Sequence, residues 1–142
     1  MGKLVIDSGV AIKWFVVEPY SAEARRILDG YRQGDLTFLA PDLIYAEVGN
    51  IAWKKHQFQS LASADAQQII TEFQTVQLTI TSNVHLLDDA YRLAVTYQRS
   101  VYDSLYLALS ERENCQFITA DERLVNAVSS HLSNVVWLAH WP

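Results

Sequence analysis

Leu4-Val5-Ile6-Asp7-Ser8 is three apolar residues, an acid and a hydroxyl, and its reading decides the fold. The apolar run is too short for a helix and is bounded by polar residues, so it reads as a buried strand. Ser8 predicts the cap of a helix running to Val17. The same pattern recurs outward from there. Thr37-Phe38-Leu39-Ala40, Gln77 to Thr81, Gln116-Phe117-Ile118-Thr119 and Asn134 to Leu138 read as further strands. Between them the apolar spacing turns helical. The helices predicted are Ser21 to Tyr31 with Gly34 as a stop, Asp42 to His56, Ser63 to Thr75, Val84 to Tyr97, Val101 to Glu113 and Asp121 to His131. In the Val84 to Tyr97 helix, Leu86, Leu87, Ala90, Leu93, Ala94 and Tyr97 are expected to face inward. Val101 to Glu113 is apolar most of the way round, which predicts deep burial. Short apolar strands alternating with helices predict an α/β fold, a central parallel sheet of four to five strands with helices on both faces.

Composition bounds the function. The chain of 142 residues is half apolar and is read as one domain over 1–142, with no internal repeat, linker or disordered tract. Eleven Lys and Arg stand against 16 Asp and Glu, a formal net charge of -5. A nucleic-acid binder held by charge alone is usually basic, so any such binding must use local patches. Cys115 is the single cysteine, which excludes a disulfide framework and a Cys-rich zinc site and fits a reducing cytoplasm. His56, His85, His131 and His140 have no ligand spacing. No stretch is long and apolar enough for a membrane span, and the run from Met1 to Asp7 is too short for a signal sequence. Gly2 lacks the Ser or Thr at position 6 that myristoylation favours.

Ligands of parallel sheets gather beyond the carboxyl ends of the strands. Asp7 comes directly after the first strand there, and Asp121 lies two residues after Thr119. Glu47 falls among Leu43, Ile44, Val48 and Ile51, on the apolar stripe of its helix, where an unpaired carboxylate is costly. Asp103 opens the most apolar helix. Each acid also has an ordinary structural explanation. Asp7 and Asp121 could cap helices, Asp103 could favour a helix dipole, and Glu47 could pair with Lys54 or Arg99. Taken together, carboxylates aimed at one edge raise one another's pKa unless a cation compensates them. Mg2+ or Mn2+, which prefer oxygen ligands, would do so, and phosphodiester hydrolysis is the matching reaction class.

Four segments carry a resemblance. They are Val5-Ile6-Asp7-Ser8 with Ala11-Ile12-Lys13-Trp14-Phe15; Ala40-Pro41-Asp42-Leu43 with Glu47-Val48 and Asn50; Tyr102-Asp103-Ser104-Leu105-Tyr106-Leu107-Ala108-Leu109; and Thr119-Ala120-Asp121-Glu122-Arg123-Leu124. In this order they resemble the PIN-domain family, in particular the VapC-type toxins of bacterial toxin–antitoxin pairs. The resemblance implies a Mg2+- or Mn2+-dependent endoribonuclease. Asp7, Glu47, Asp103 and Asp121 would hold the metal and the attacking water, supported by Ser8, Thr119 and Asn50. It further implies a cytoplasmic homodimer whose small antitoxin inserts a C-terminal segment into the active groove. Many relatives carry Ser or Asn two places after the first acid, where this chain has Gly9.

Substrate phosphates are assigned first to Lys13 and Lys54, which lie on helices bearing site residues; Arg25, Arg26, Lys55 and Arg123 are further candidates. Setting the four acids aside leaves the remaining charges nearly balanced. Competing readings are a haloacid-dehalogenase-like phosphatase, which needs a second Asp where Gly9 stands, a receiver domain, which needs an acidic pair at its first strand, and a PIN-like binding module without catalysis. No glycine-rich dinucleotide motif or P-loop occurs.

Overall fold

The computed structural model describes residues 2–142, so the part of the signal-sequence reading that falls on Met1 lies outside the described residues. The chain runs β1 (Gly2–Ile6), α1 (Ser8–Ile12), α2 (Ser21–Arg32), β2 (Leu36–Pro41), α3 (Leu43–Phe58), α4 (Ser63–Phe73), β3 (Leu78–Thr81), α5 (Asn83–Tyr97), α6 (Val101–Glu113), β4 (Gln116–Thr119), α7 (Glu122–Val128) and β5 (Val135–Trp137), with a 3-10 turn over Leu138–His140. The five strands form one sheet in the order β3-β2-β1-β4-β5, and every pairing is parallel.

The order has a functional meaning. The chain leaves β1 outward through β2 and β3, then returns to lay β4 on the other side of β1. The direction of winding reverses between β1 and β4, and a crevice opens at such a reversal beyond the strand ends. Val5 pairs with Phe117 and Ile6 with Ile118, so the two strands end side by side. Leu4, Val5, Ile6, Phe38, Leu39, Phe117 and Ile118 are all buried, as central strands covered on both faces require. Seven consecutive residues of α6, Ser104 to Ser110, are buried, in keeping with its all-round apolar sequence.

Several boundaries differ from the sequence reading for identifiable reasons. The first helix stops at Ile12 rather than Val17, and Asp7, not Ser8, is its N-cap. Trp14 leaves the helical path to stack on Phe38 at 5.2 Å, and its Nε1 donates to the Ala24 carbonyl at 3.0 Å. Beyond it, Val16 and Val17 are β-branched and Glu18 precedes Pro19, all unfavourable to helix. The Asp121–His131 helix covers only Glu122–Val128, and the last strand is trimmed to Val135–Trp137. Asn134 stays outside the strand, donating from Nδ2 to Ser110 Oγ and the Cys115 carbonyl. Leu87 is 49% exposed rather than inward, because Leu86, Ala90 and Leu93 already fill the buried face of α5. Gly34 does end the second helix region, at φ +84, where residues other than glycine are strained.

Candidate active site

The carboxyl ends of β1 and β4 open into a cavity lined by Asp7, Ser8, Gly9, Glu47, Asp103, Tyr106, Phe117, Ala120, Asp121 and Leu124. All four acids singled out in the sequence therefore meet there, delivered by four different segments.

Asp7 caps α1 with Oδ1, which accepts from the Val10 amide at 2.9 Å. Its Oδ2 accepts a short hydrogen bond from the fully buried Thr119 hydroxyl. That hydroxyl in turn accepts from the Asp121 amide at 3.0 Å. One threonine thus ties the ends of β1 and β4 together through the first acid. Asp121 caps α7, with Oδ1 accepting from the Leu124 amide at 3.2 Å. The capping explanation for these two acids is thus correct, and it occupies only one oxygen of each.

Glu47 projects from α3 into the cavity, where its Oε1 accepts from the Tyr106 hydroxyl at 2.5 Å. Ser8 lines the cavity beside Glu47 and helps to offset the rise in its pKa. Neither Lys54 nor Arg99 is its partner. Asp103 lies in the first turn of α6, whose N-cap Ser100 accepts from the Asp103 amide at 3.0 Å. Its Oδ2 faces Arg99 Nη2 at 3.5 Å, and the same nitrogen stands 3.9 Å from Asp121 Oδ2.

The electrostatics arise from burial and like charge. Burial first, then the charge of Glu47, pushes the Asp7 carboxyl up to about 6, against its hydrogen bonds from Thr119 and Val10. Burial raises Glu47, with Asp103 adding to the effect and Tyr106 opposing it. Burial likewise raises Asp103, where Arg99 opposes and Asp121 adds. Tyr106 is held far above the ordinary phenol range by burial and the neighbouring carboxylates, so its hydroxyl is a donor at any accessible pH. Crowded, desolvated carboxylates gain from any compensating cation, and a multivalent one would release the protons they hold. The donors are all oxygen, which suits a hard ion. Among the described residues no three acid, His or Cys side chains already converge on one point. Arg99 sits against two of the acids instead.

The remaining predicted residues are less central. Thr119 lies behind Asp7, and Ser8 lines the cavity beside Glu47. Asn50 is exposed on α3 and does not line the cavity. Lys13 is nearly buried and pairs with Glu18 at 2.9 Å, while Lys55 holds the other Glu18 oxygen at 3.2 Å. Burial alone would raise Glu18, yet these two lysines bring it below its usual value. Lys13 is thus a structural counter-ion, away from the cavity. Lys54 is exposed and also outside it. Two site residues escaped sequence reading. Tyr106 reads as core because its ring is core, stacked on Phe117 at 5.6 Å; the signal was that a buried tyrosine hydroxyl needs a partner. Arg99 was weighed only against Glu47.

A sheet wound this way, with acids from separate segments at its switch point, defines a PIN-type α/β domain. The PIN domain family model matches residues 4–128, and the chain belongs to that family. It is 31% identical over 124 residues to Ribonuclease VapC3 of Pyrobaculum aerophilum, covering 86% of this chain and 92% of that protein. It is 25% identical over 121 residues to Ribonuclease VapC9 of Mycobacterium tuberculosis, covering 85% and 87%. Similar solved structures include the PAE2754 protein of Pyrobaculum aerophilum (TM-score 0.70, 18% identity, 97% of this chain and 92% of that one). A toxin-antitoxin complex from Klebsiella pneumoniae also matches (TM-score 0.66, 17% identity, 94% and 95%). At these identities the structural matches establish the shared fold.

Proposed function

We propose that this protein is an endoribonuclease, the VapC-type toxin of a toxin–antitoxin pair, and that its activity depends on Mg2+ or Mn2+. The observation that carries the reading is the convergence of Asp7, Glu47, Asp103 and Asp121 on one cavity in a PIN domain whose relatives are ribonucleases.

Asp7, Asp103, Asp121 and Glu47 are the residues that would hold the ion. When bound, the ion supplies charge compensation at a phosphoryl group and an acidified water. The chain supplies orientation. Thr119 and the Val10 amide fix both oxygens of Asp7, so that carboxylate cannot turn. Tyr106 holds Glu47, and Glu47, with its raised pKa, is placed to take a proton from a nucleophilic water. Leu124 and Phe117 supply apolar surface to the cavity lining. On this reading Lys54, exposed along α3, meets RNA beyond the cleaved bond. The partner is a small antitoxin whose C-terminal segment enters the acid-lined groove; the match to a toxin-antitoxin complex supports such a partner. The working form is a cytoplasmic homodimer. No helix among the described residues is long and apolar enough to cross a membrane.

The test is cleavage of total cellular RNA with Mn2+ or Mg2+, mapping new 5′ ends by sequencing, with EDTA and Asp7→Asn controls. Discrete ends that vanish in both controls are expected. A folded, antitoxin-free protein that yields no ends would move the reading to a PIN-like binding module.

A further inference from the structure

Arg99 is the one cation whose ion pairs, among the described residues, are to acids of the cavity. Lys3, Lys13, Arg26, Lys55 and Arg92 pair elsewhere. Its contacts are loose. A single nitrogen, Nη2, serves both carboxylates, at 3.5 Å and 3.9 Å, and the second distance is beyond hydrogen bonding. Its Nε is buried and has no hydrogen-bond partner. A guanidinium offers five donors in a planar fork suited to two oxygens of one phosphate. The Nε donor is unused here, and an orphaned buried donor is costly unless some state of the molecule satisfies it.

The backbone beneath Arg99 is fixed while its side chain is long. Gln98 is left-handed at φ 55, the Arg99 amide donates to the Ala94 carbonyl at 3.3 Å, and Ser100 immediately caps α6. The joint between α5 and α6 therefore presents one arginine beside Asp103 and Asp121, two of the acids that line the cavity. With RNA in the cavity, the phosphodiester is the acceptor whose chemistry matches the spare donor.

We propose that Arg99 is the substrate-binding residue that grips the phosphate at the cleaved bond, leaving Asp103 and Asp121 when those carboxylates are engaged by a divalent ion. This rests on the endoribonuclease reading. In the resting protein the arginine serves as counter-ion to the two acids; in the loaded protein it changes partner.

The test compares wild type, Arg99→Gln and Arg99→Lys, each shown folded by circular dichroism. Binding of a fluorescein-labelled, mixed-sequence 12-nucleotide RNA is followed by stopped-flow anisotropy, before cleavage, over a range of salt in Mn2+ and in EDTA. In Mn2+, Arg99→Gln should bind roughly tenfold more weakly. Its slope of log affinity against log salt should fall by about 0.7, the loss of one single-strand phosphate contact. In EDTA, where the arginine is tied to Asp103 and Asp121, wild type and Arg99→Gln should differ little. Arg99→Lys should keep the slope but lose turnover, since a point charge replaces the fork. An unchanged salt slope in Mn2+ for Arg99→Gln would reduce Arg99 to a resting counter-ion and overturn the inference, even if the variant bound Mn2+ more tightly. Wild type that neither binds nor cleaves RNA in Mn2+ would overturn the ribonuclease reading and this inference with it.

Discussion

Replacing Asp7 by Asn should stabilise the metal-free protein while destroying its activity. Burial raises the Asp7 carboxyl from 3.8 to about 6 in the folded state. The folded protein therefore binds the proton more tightly than the unfolded chain does. Stability is fully present below pH ~4, falls as pH rises through the window from ~4 to ~6, and is lost above it by about 3 kcal/mol. Asparagine never ionises and escapes that loss. Its carbonyl can still accept from Val10, and its amide can donate to the Thr119 oxygen. The Thr119 proton, however, loses its acceptor, at a cost of about 1 kcal/mol. The net gain is roughly 2 kcal/mol at pH 8, on the order of 6 °C in melting temperature for a domain of this size. At pH 4 the gain should vanish or change sign. Differential scanning calorimetry in EDTA across pH 4 to 8 measures both ends. A variant melting at or below wild type at pH 8, with a difference that does not vary with pH, would refute the argument that buried charge at Asp7 strains the resting fold.

Other consequences are open to measurement. Adding Mn2+ should raise the wild-type melting temperature more at pH 7.5 than at pH 5.5, because protons compete for Asp7 in the acid range; equal shifts at both values would contradict that carboxylate's place in the site. Tyr106→Phe keeps the ring stack on Phe117 but strips Glu47 of its donor, so urea unfolding should show a loss of roughly 2 kcal/mol, and cleavage should slow through kcat more than through KM. Gly9→Ser would bring a Cβ to 3.1 Å from Ala120 Cβ and 3.5 Å from Asp7 Oδ1. It should cost about 1 kcal/mol in the same assay, and a neutral or stabilising result would mean that the loop after β4 yields easily.

Much of this arrangement is legible in the sequence alone. Asp7 and Asp121 stand out because parallel strands bring the residues just past their carboxyl ends to one edge, and Glu47 because a carboxylate interrupts an apolar stripe. Those signals are local, carried by spacing along a single element. The features that escape depend on contacts between elements. Trp14 abandons a helix because Phe38 and the Ala24 carbonyl wait elsewhere in the chain. Lys13 has site-like neighbours in sequence, but Glu18 claims it in space, together with Lys55. Arg99 reaches Asp121 only because Gln98 turns left-handed between two packed helices, and no periodicity announces that. Leu87 looks like core because the stripe is drawn one residue too wide.

The insertion of β4 beside β1 also governs when activity can arise during synthesis. The hydroxyl that clamps Asp7 comes from a residue 112 positions later, and the fourth acid lies beyond it. A nascent chain carrying β1, β2 and β3 has Asp7 and Glu47 but leaves one side of its first strand unpaired, and the crevice has no second wall. Domains form as their segments emerge, so this domain reaches its competent shape only once β4 and Asp121 have been made. Truncated or stalled products should be harmless to the RNA around them. A nuclease of this topology becomes competent only after β4 has emerged to close the crevice beside β1.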